Sequence, residues 1–460
     1  VFRVQKVEKF AFGVDALDRL FPSALKAPSL IVVAGHPGAG KTTLASHICY
    51  SNALKGSKCL YISFQEDREK LFGNMKAVGV DLATAESRGY LNFLRLPMVL
   101  SVDSLVDEIS KVLASFRPRV VVVDSVNVVL ASAGDDVKRA WLQNYFYEVA
   151  REVGGVVVLV SELPFGEEKL GLGSIEFVAD AILILKHRIE DGKLVRTMEI
   201  RKIRGAPISL AEVPFAISPE HGLKVYLPPI LEEIPAEGEP MKNPCRLLDK
   251  AFGHVRRGHV MFISYSVRAR PPEVFMVPIG YALANKARIM LISFRASPKT
   301  LFTTIAESFA SLGLSRSVAE DFLSRYAVFK SFNPFAISSS ELTSQLIEAV
   351  NSVNPEIVLL HAFDIFAIAH RPHHFRAVYN IINYLKNKNI LTVILSIRSN
   401  SGIVLSFVRL SDVVIDFKFR LRDGKLVKYA HLWRRERNPY IASEEEIASC
   451  RDDMSSLLLS

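Results

Sequence analysis

The stretch Gly35-His36-Pro37-Gly38-Ala39-Gly40-Lys41-Thr42 carries the residue types and spacing of a phosphate-binding loop: a glycine, four residues, then Gly-Lys-Thr. Glycines let backbone N–H groups turn inward around phosphate oxygens, and a helix that starts at the loop adds positive potential. Lys41 has the reach to meet the β- and γ-phosphates of a nucleotide, and the Thr42 hydroxyl is a suitable ligand for Mg2+. The segment Gly35 through Thr43 is therefore the candidate nucleotide-contacting set, with ATP and Mg2+ as its expected ligands.

The elements that must hold this loop follow from apolar periodicity. Leu30–Ala34, Cys59–Phe64, Val120–Asp124, Val156–Ser161 and Ala181–His187 are β-branched, apolar runs of strand length. Helical segments alternate with them, among them 43–53, 104–115 and 136–153. Strand–helix alternation of this kind predicts an α/β domain with a mostly parallel sheet and helices on both faces. Such sheets bind ligands at the carboxyl ends of their strands, where the loop sits.

A chain of 460 residues exceeds one ordinary domain. The proline- and glutamate-rich stretch 227–244 reads as a linker, and the segments on either side repeat each other. Leu17-Asp18 recurs as Leu248-Asp249, and Tyr61-Ile62-Ser63-Phe64 as Leu291-Ile292-Ser293-Phe294. The turn Arg188-Ile189-Glu190-Asp191-Gly192-Lys193-Leu194-Val195 recurs as Arg420-Leu421-Arg422-Asp423-Gly424-Lys425-Leu426-Val427. Conserved order and near-constant spacing predict a tandem duplication, with domains at 1–226 and 245–460.

Charge is unevenly placed. From Met241 onward there are 29 Lys and Arg against 18 Asp and Glu, whereas the first 240 residues carry 28 against 30. The basic half invites a polyanion such as nucleic acid, against the plainer reading of scattered solubilising charge. No run approaches the length of a membrane span, and residues 1–12 do not resemble a signal peptide, so no membrane and a cytoplasmic location are expected. Cys49, Cys59, Cys245 and Cys450 show no paired spacing and are expected to be reduced core residues.

The first half resembles the RecA-like ATPases, and within them the KaiC-like branch. The resemblance rests on Leu17-Asp18-Arg19-Leu20-Phe21 before the first core strand, the phosphate loop, Tyr61-Ile62-Ser63-Phe64, the Val120–Asp124 strand, Phe177-Val178-Ala179-Asp180 and Arg201-Lys202-Ile203-Arg204-Gly205. It implies two tandem RecA-like P-loop domains. It also implies Asp124 as the Walker B aspartate that orients Mg2+ together with Thr42. Lys202 and Arg204 match a basic pair that reaches the γ-phosphate of a neighbouring subunit, which implies a homo-oligomer, a hexameric ring in the relatives. The alternative for that pair is a solvated basic edge.

This sequence departs from the pattern in two places. The resemblance implies a pair of glutamates after the Tyr-x-Ser-x strand, but here it reads Gln65-Glu66. Glutamine orients a water but accepts no proton at neutral pH. Slow hydrolysis is the expectation, with Glu66 as the remaining base or the site as a binding switch. In the second half Pro271 stands where Lys41 does, His361 where Asp124 does, and Arg295-Ala296 where Gln65-Glu66 do. Sequence spacing sets Lys202 against Arg434 and Arg204 against Glu436. A degenerate pseudo-ATPase domain follows, kept for assembly or partner binding.

Other groupings weigh less. His370, His373 and His374, with His361 upstream, invite a metal reading, but no carboxylate or cysteine completes a spacing and Pro372 marks a surface loop. The loop 163–173 stands where RecA-type recombinases grip DNA, yet it carries Glu167 and Glu168 and one lysine. The rival function is a nucleic-acid-binding recombination or repair accessory of the RecA/RadA-paralogue kind, with ATP as a conformational ligand.

Overall fold

The apolar runs become the strands of two sheets in the computed structural model. It describes residues 9–22, 25–97, 101–131, 133, 136–164, 170, 175–190, 192–219, 222–227, 229, 233, 236–266, 270–311, 313, 315–370, 374–398, 402–422 and 424–459. The chain divides into two units, Val1–Leu227 and Pro228–Ser460.

The first unit holds β1 (Ser29–Gly35), β2 (Cys59–Ser63), β3 (Leu91–Arg95), β4 (Val120–Asp124), β5 (Val156–Glu162), β6 (Ala181–Glu190), β7 (Lys193–Ile203), β8 (Glu212–Ser218) and β9 (Gly222–Val225). They form one nine-stranded sheet in the order β3-β2-β4-β5-β1-β6-β7-β8-β9. Pairing is parallel from β3 to β6 and antiparallel from β6 to β9. The central strands β1, β2, β4 and β5 are apolar and buried over most of their length because both faces are covered. Ile31 and Val33 pack with Leu44, Ala45 and Ile48 of the helix Lys41–Leu54. Leu30, Val32 and Ala34 pack on the other side with Leu105, Ile109 and Leu113 of the helix Val102–Phe116. That helix buries residues three and four apart and starts at Ser101, whose hydroxyl accepts from the Ser104 N–H.

The second unit repeats the plan. A short pair, β10 (Pro240–Met241) with β11 (Val255–Arg256), precedes β12 (Val260–Tyr265), β13 (Ile289–Ser293), β14 (Ala327–Ser331), β15 (Ile357–His361), β16 (Leu391–Ile397), β17 (Val413–Arg422), β18 (Lys425–Arg434) and β19 (Tyr440–Ala442). The second sheet runs β14-β13-β15-β16-β12-β17-β18-β19, which is the first order strand for strand without a partner for β9. Both are α/β units with mostly parallel, mixed sheets, as expected for tandem RecA-like domains. Even the fixed points recur: the Asp180 carboxylate accepts from the Leu30 N–H at 2.9 Å, and the Asp412 carboxylate from the Val260 N–H at 2.8 Å.

Two expectations change. Cys245 and Cys450 are not reduced thiols but a disulfide within the second unit, joining the helix Arg246–Phe252 to the helix Glu444–Leu459. Cys49 and Cys59 are free and buried. The half-to-half alignment near the basic pair also shifts. A bulge in β7 leaves Ile182 opposite Lys202 and Ala181 opposite Ile203, whereas β18 runs without one and puts Trp433 and Arg434 there. Beyond the bulge Lys202 corresponds to Trp433 and Arg204 to Arg435.

Candidate functional site

The loop leaves β1 at Gly35 and enters the helix Lys41–Leu54 at Thr42 and Thr43. Its sharp course depends on glycine. A Cβ on Gly35 would lie 2.1 Å from the Leu185 carbonyl oxygen, and Gly40, at φ 105°, would bring one within 2.6 Å of Ile217 Cδ1. Gly38 faces open space, and Ala39 is buried with its N–H donating to the His36 carbonyl at 3.1 Å. Pro37 lies in the turn between them. Burial, then His187, Lys186 and Lys41, lowers the His36 pKa and keeps its ring neutral beside the loop. Lys41 is folded back, its Nζ donating to the His36 carbonyl at 3.0 Å. Burial lowers its pKa, while Glu162 and Asp124 oppose that shift.

Thr42 and Asp124 meet. The Thr42 hydroxyl donates to Asp124 Oδ2 at 2.9 Å, and the Tyr61 hydroxyl donates to the same oxygen at 2.9 Å. Burial raises the Asp124 pKa, against the two hydroxyls and Lys41. Burial also pushes the Tyr61 pKa well up, so Tyr61 remains a donor. A hydroxyl and a carboxylate so placed are hard oxygen ligands of the kind Mg2+ takes. Ser125, next in the chain, is buried with an unpartnered hydroxyl. The glycine cradle, the lysine and these oxygens fit a metal-bound nucleotide.

Gln65 and Glu66 follow β2. The Ser63 hydroxyl holds their turn, donating to the Glu66 carbonyl at 2.7 Å and accepting from the Glu66 N–H at 3.1 Å. The Glu66 carboxylate is 3.5 Å from Lys70 Nζ. Gln65 Nε2 donates at 3.5 Å to Glu162, a residue that sequence reasoning passed over. Glu162 ends β5 and is paired with Gly35, and its N–H donates to Asn127 Oδ1 at 2.8 Å. The only signal in sequence is a polar residue ending an apolar strand whose carboxyl end adjoins the loop.

Lys202 and Arg204 stand elsewhere. Lys202 is opposite Ile182, which pairs with Val32, three residues before Gly35 and so about 10 Å along the sheet from the loop. Lys202 Nζ donates to the Glu176 and Phe177 carbonyls at 3.1 and 2.9 Å. Arg204 donates to the Phe177 carbonyl at 2.6 Å. Its counterpart Arg435 donates to the Arg409 carbonyl at 2.7 Å, in the equivalent place.

At the matching strand ends of the second unit, His361 is buried and shares a hydrogen bond of 3.0 Å with the Ser293 hydroxyl. Arg295 and Ala296 N–H groups donate to that hydroxyl, as Glu66 does in the first unit. Pro271 and Pro272 precede the helix Glu273–Ala284. Arg268 and His373, most of the loop 163–173, and the His374 side chain lie outside the described residues. Among the described residues no group of three or more His, Cys, Asp or Glu is placed to hold a metal ion. Among them, too, no helix is long and apolar enough to cross a membrane.

The KaiC ATPase family model matches residues 10–229. Circadian clock protein KaiC3 of Synechocystis sp. is 26% identical over 196 residues, covering 42% of this chain and 39% of that protein. The circadian clock oscillator protein KaiC of Synechococcus elongatus is 26% identical over 238 residues, 48% of this chain and 45% of that protein. The same oscillator protein from Parathermosynechococcus lividus is 22% identical over 196 residues, 42% and 36%. The chain thus spans less than half the length of these curated relatives. Residues 10–229, just under half of this chain, are a KaiC-family P-loop ATPase domain.

Proposed function

We propose that the first unit binds MgATP and hydrolyses it slowly, and that the nucleotide state is coupled to ring assembly or to a partner. The observation that carries this reading is the meeting of Thr42 with Asp124 at 2.9 Å beside Lys41, under a loop whose course needs glycine at positions 35 and 40. The residues that would hold Mg2+ are Thr42 and Asp124. When bound there, Mg2+ would supply positive charge against the charge that spreads in phosphoryl transfer.

Gln65 holds the attacking water and cannot take its proton. Glu162, within reach of the Gln65 amide, or Glu66, takes that proton. The water oxygen bonds to the γ-phosphorus, the bond to the bridging oxygen breaks, and ADP and phosphate leave. Division of orientation and proton transfer between two residues supports a slow rate. Lys202 and Arg204 are bonded to the Glu176 and Phe177 carbonyls, about 10 Å along the sheet from their own loop, so they would serve the phosphates bound by a neighbouring copy, which requires a head-to-tail oligomer. In sequence the second unit has Pro271 and Pro272 in place of Lys41 and Thr42 and His361 in place of Asp124, and is read as a pseudo-ATPase.

MgATP turnover by the full chain tests this, beside Lys41→Ala and Gln65→Glu with oligomer size followed in parallel. Turnover that vanishes in Lys41→Ala and rises in Gln65→Glu supports a slowed ATPase. Binding and assembly with no turnover above the Lys41→Ala background would remove the enzyme and leave a switch.

A further inference from the structure

The second unit has prolines where the first has the lysine and threonine of its phosphate loop, and it has gained cations beside them. Pro271 and Pro272 offer no N–H at the entry to the helix Glu273–Ala284. Arg270 and Arg295 stand where Gly40 and Gln65 stand in the first unit. The Arg270 guanidinium lies 5.1 Å from the centre of the Phe275 ring, which is itself 5.9 Å from the His361 ring. His361 bonds Ser293, whose hydroxyl also accepts the Arg295 N–H at 3.2 Å. The backbone of Arg295 is thus fixed beside His361, and the charges of both arginines act on His361 and on the buried Tyr265 hydroxyl, to which Arg270 also bonds.

The neighbouring cations are spoken for. Arg398 and Lys418 pair with Asp416, and Lys428 pairs with Glu273. Arg270 and Arg295 form no ion pair among the described residues, though both are exposed, past the carboxyl ends of β12 and β13. Asp364 faces Tyr265 from the next element and leaves one buried carboxylate oxygen unpartnered, a place for a hydroxyl donor. The metal side of the site is gone as well, since His361 replaces Asp124 and Pro272 replaces Thr42. A guanidinium binds phosphate oxygens through paired N–H groups and needs no metal to do so.

We infer that Arg270 and Arg295, set over Tyr265 and His361 at the strand ends of the second sheet, form a site for a phosphate-bearing small molecule held without a divalent cation. The test uses the full chain with Lys41→Ala, so that the first loop is silent, and inorganic pyrophosphate in EDTA as the probe, read by titration calorimetry. Saturable binding is expected, weakened about tenfold or more by R270A/R295A. Phenylglyoxal modification of the chain with native arginines, located by mass spectrometry, makes the test independent of folding in the variant. Pyrophosphate should slow modification of Arg270 and Arg295 but not of Arg256. Equal affinity in R270A/R295A, absence of protection, or binding only when Mg2+ is supplied overturns the proposal. So does a chain that ignores pyrophosphate yet binds single-stranded oligonucleotide through these two arginines, which would make this face a nucleic-acid contact.

Discussion

Acid should destabilise the second unit through His361. Burial foremost, then Arg270 and Arg295, lower its pKa from 6.5 to about 4 in the folded chain. An unfolded histidine keeps a value near 6.5. Between these two values the unfolded chain binds a proton that the folded chain refuses, so stability rises with pH. The contribution is fully felt as a penalty below about pH 4 and is gone above about pH 6.5. Its limiting size is about 3 kcal/mol, and roughly 2 kcal/mol of it is lost between pH 7 and pH 5. The chain has two tryptophans, Trp141 in the first unit and Trp433 in the second. Trp141→Phe leaves Trp433 as the reporter, and urea unfolding at pH 7, 6 and 5 gives the dependence. His361→Asn keeps a polar atom for Ser293 but takes up no proton. It should flatten the curve by about 2 kcal/mol between pH 7 and 5. Carboxylate protonation is common to both chains and cancels in the difference. An identical slope in His361→Asn would refute a neutral, buried imidazole and, with it, the claim that two arginines press on one point.

Three further outcomes are expected. Glu162→Gln should lower single-turnover hydrolysis about 100-fold with ATP affinity little changed, and Gln65→Glu in the same chain should recover part of the loss; an unchanged rate leaves Glu66 as the base. Gly40→Ala should weaken ATP binding and cost about 1–2 kcal/mol of stability, because alanine at φ 105° is strained wherever Ile217 moves. Adding Ile217→Ala, with affinity and melting temperature measured, should relieve the clash but not the strain. Replacing Cys245 and Cys450 by serine should cost about 2–4 kcal/mol of unfolding free energy, and dithiothreitol should do the same to the native chain; equal stability with and without reductant would deny the bond a structural role.

What could be read from sequence divides by range. The central strands were legible because burial on two faces makes their runs almost wholly apolar: Val120–Asp124 falls where the pattern places it, and the other four end within a few residues of it. The edge strand β3 was not, since Leu91 alone of its five residues is buried and no alternation betrays it. The loop was legible because its chemistry is contiguous. Glu162 was not, because it meets Gln65 only through the strand order, across a separation of 97 residues. The bulge in β7 is a register event with no residue type attached, so spacing alone mispaired Arg204 with Glu436. The Cys245–Cys450 bond closes over 205 residues, beyond any spacing rule.

The two units keep one topology while their strand ends have changed sign. A sheet interior is held by apolar burial and is indifferent to what stands one residue past its last hydrogen bond. Selection on that edge can therefore proceed without touching the core. In the first unit Asp124 and Glu162 act on Lys41 and Glu66 acts on Asp124, an excess of negative charge that suits a triphosphate only if a cation comes with it. In the second, Arg270 and Arg295 stand over an imidazole that burial keeps neutral, an excess of positive charge that suits a phosphate arriving alone. The excess of basic residues after Met241 is then no uniform tint. Arg398, Lys418, Lys428, Arg257 and Lys386 are each bound to a carboxylate of their own unit. Because such pairs leave little net field, what the second unit can offer an anion comes from cations without carboxylate partners, and among the described residues Arg270 and Arg295 are two that the fold brings to the mouth of one sheet.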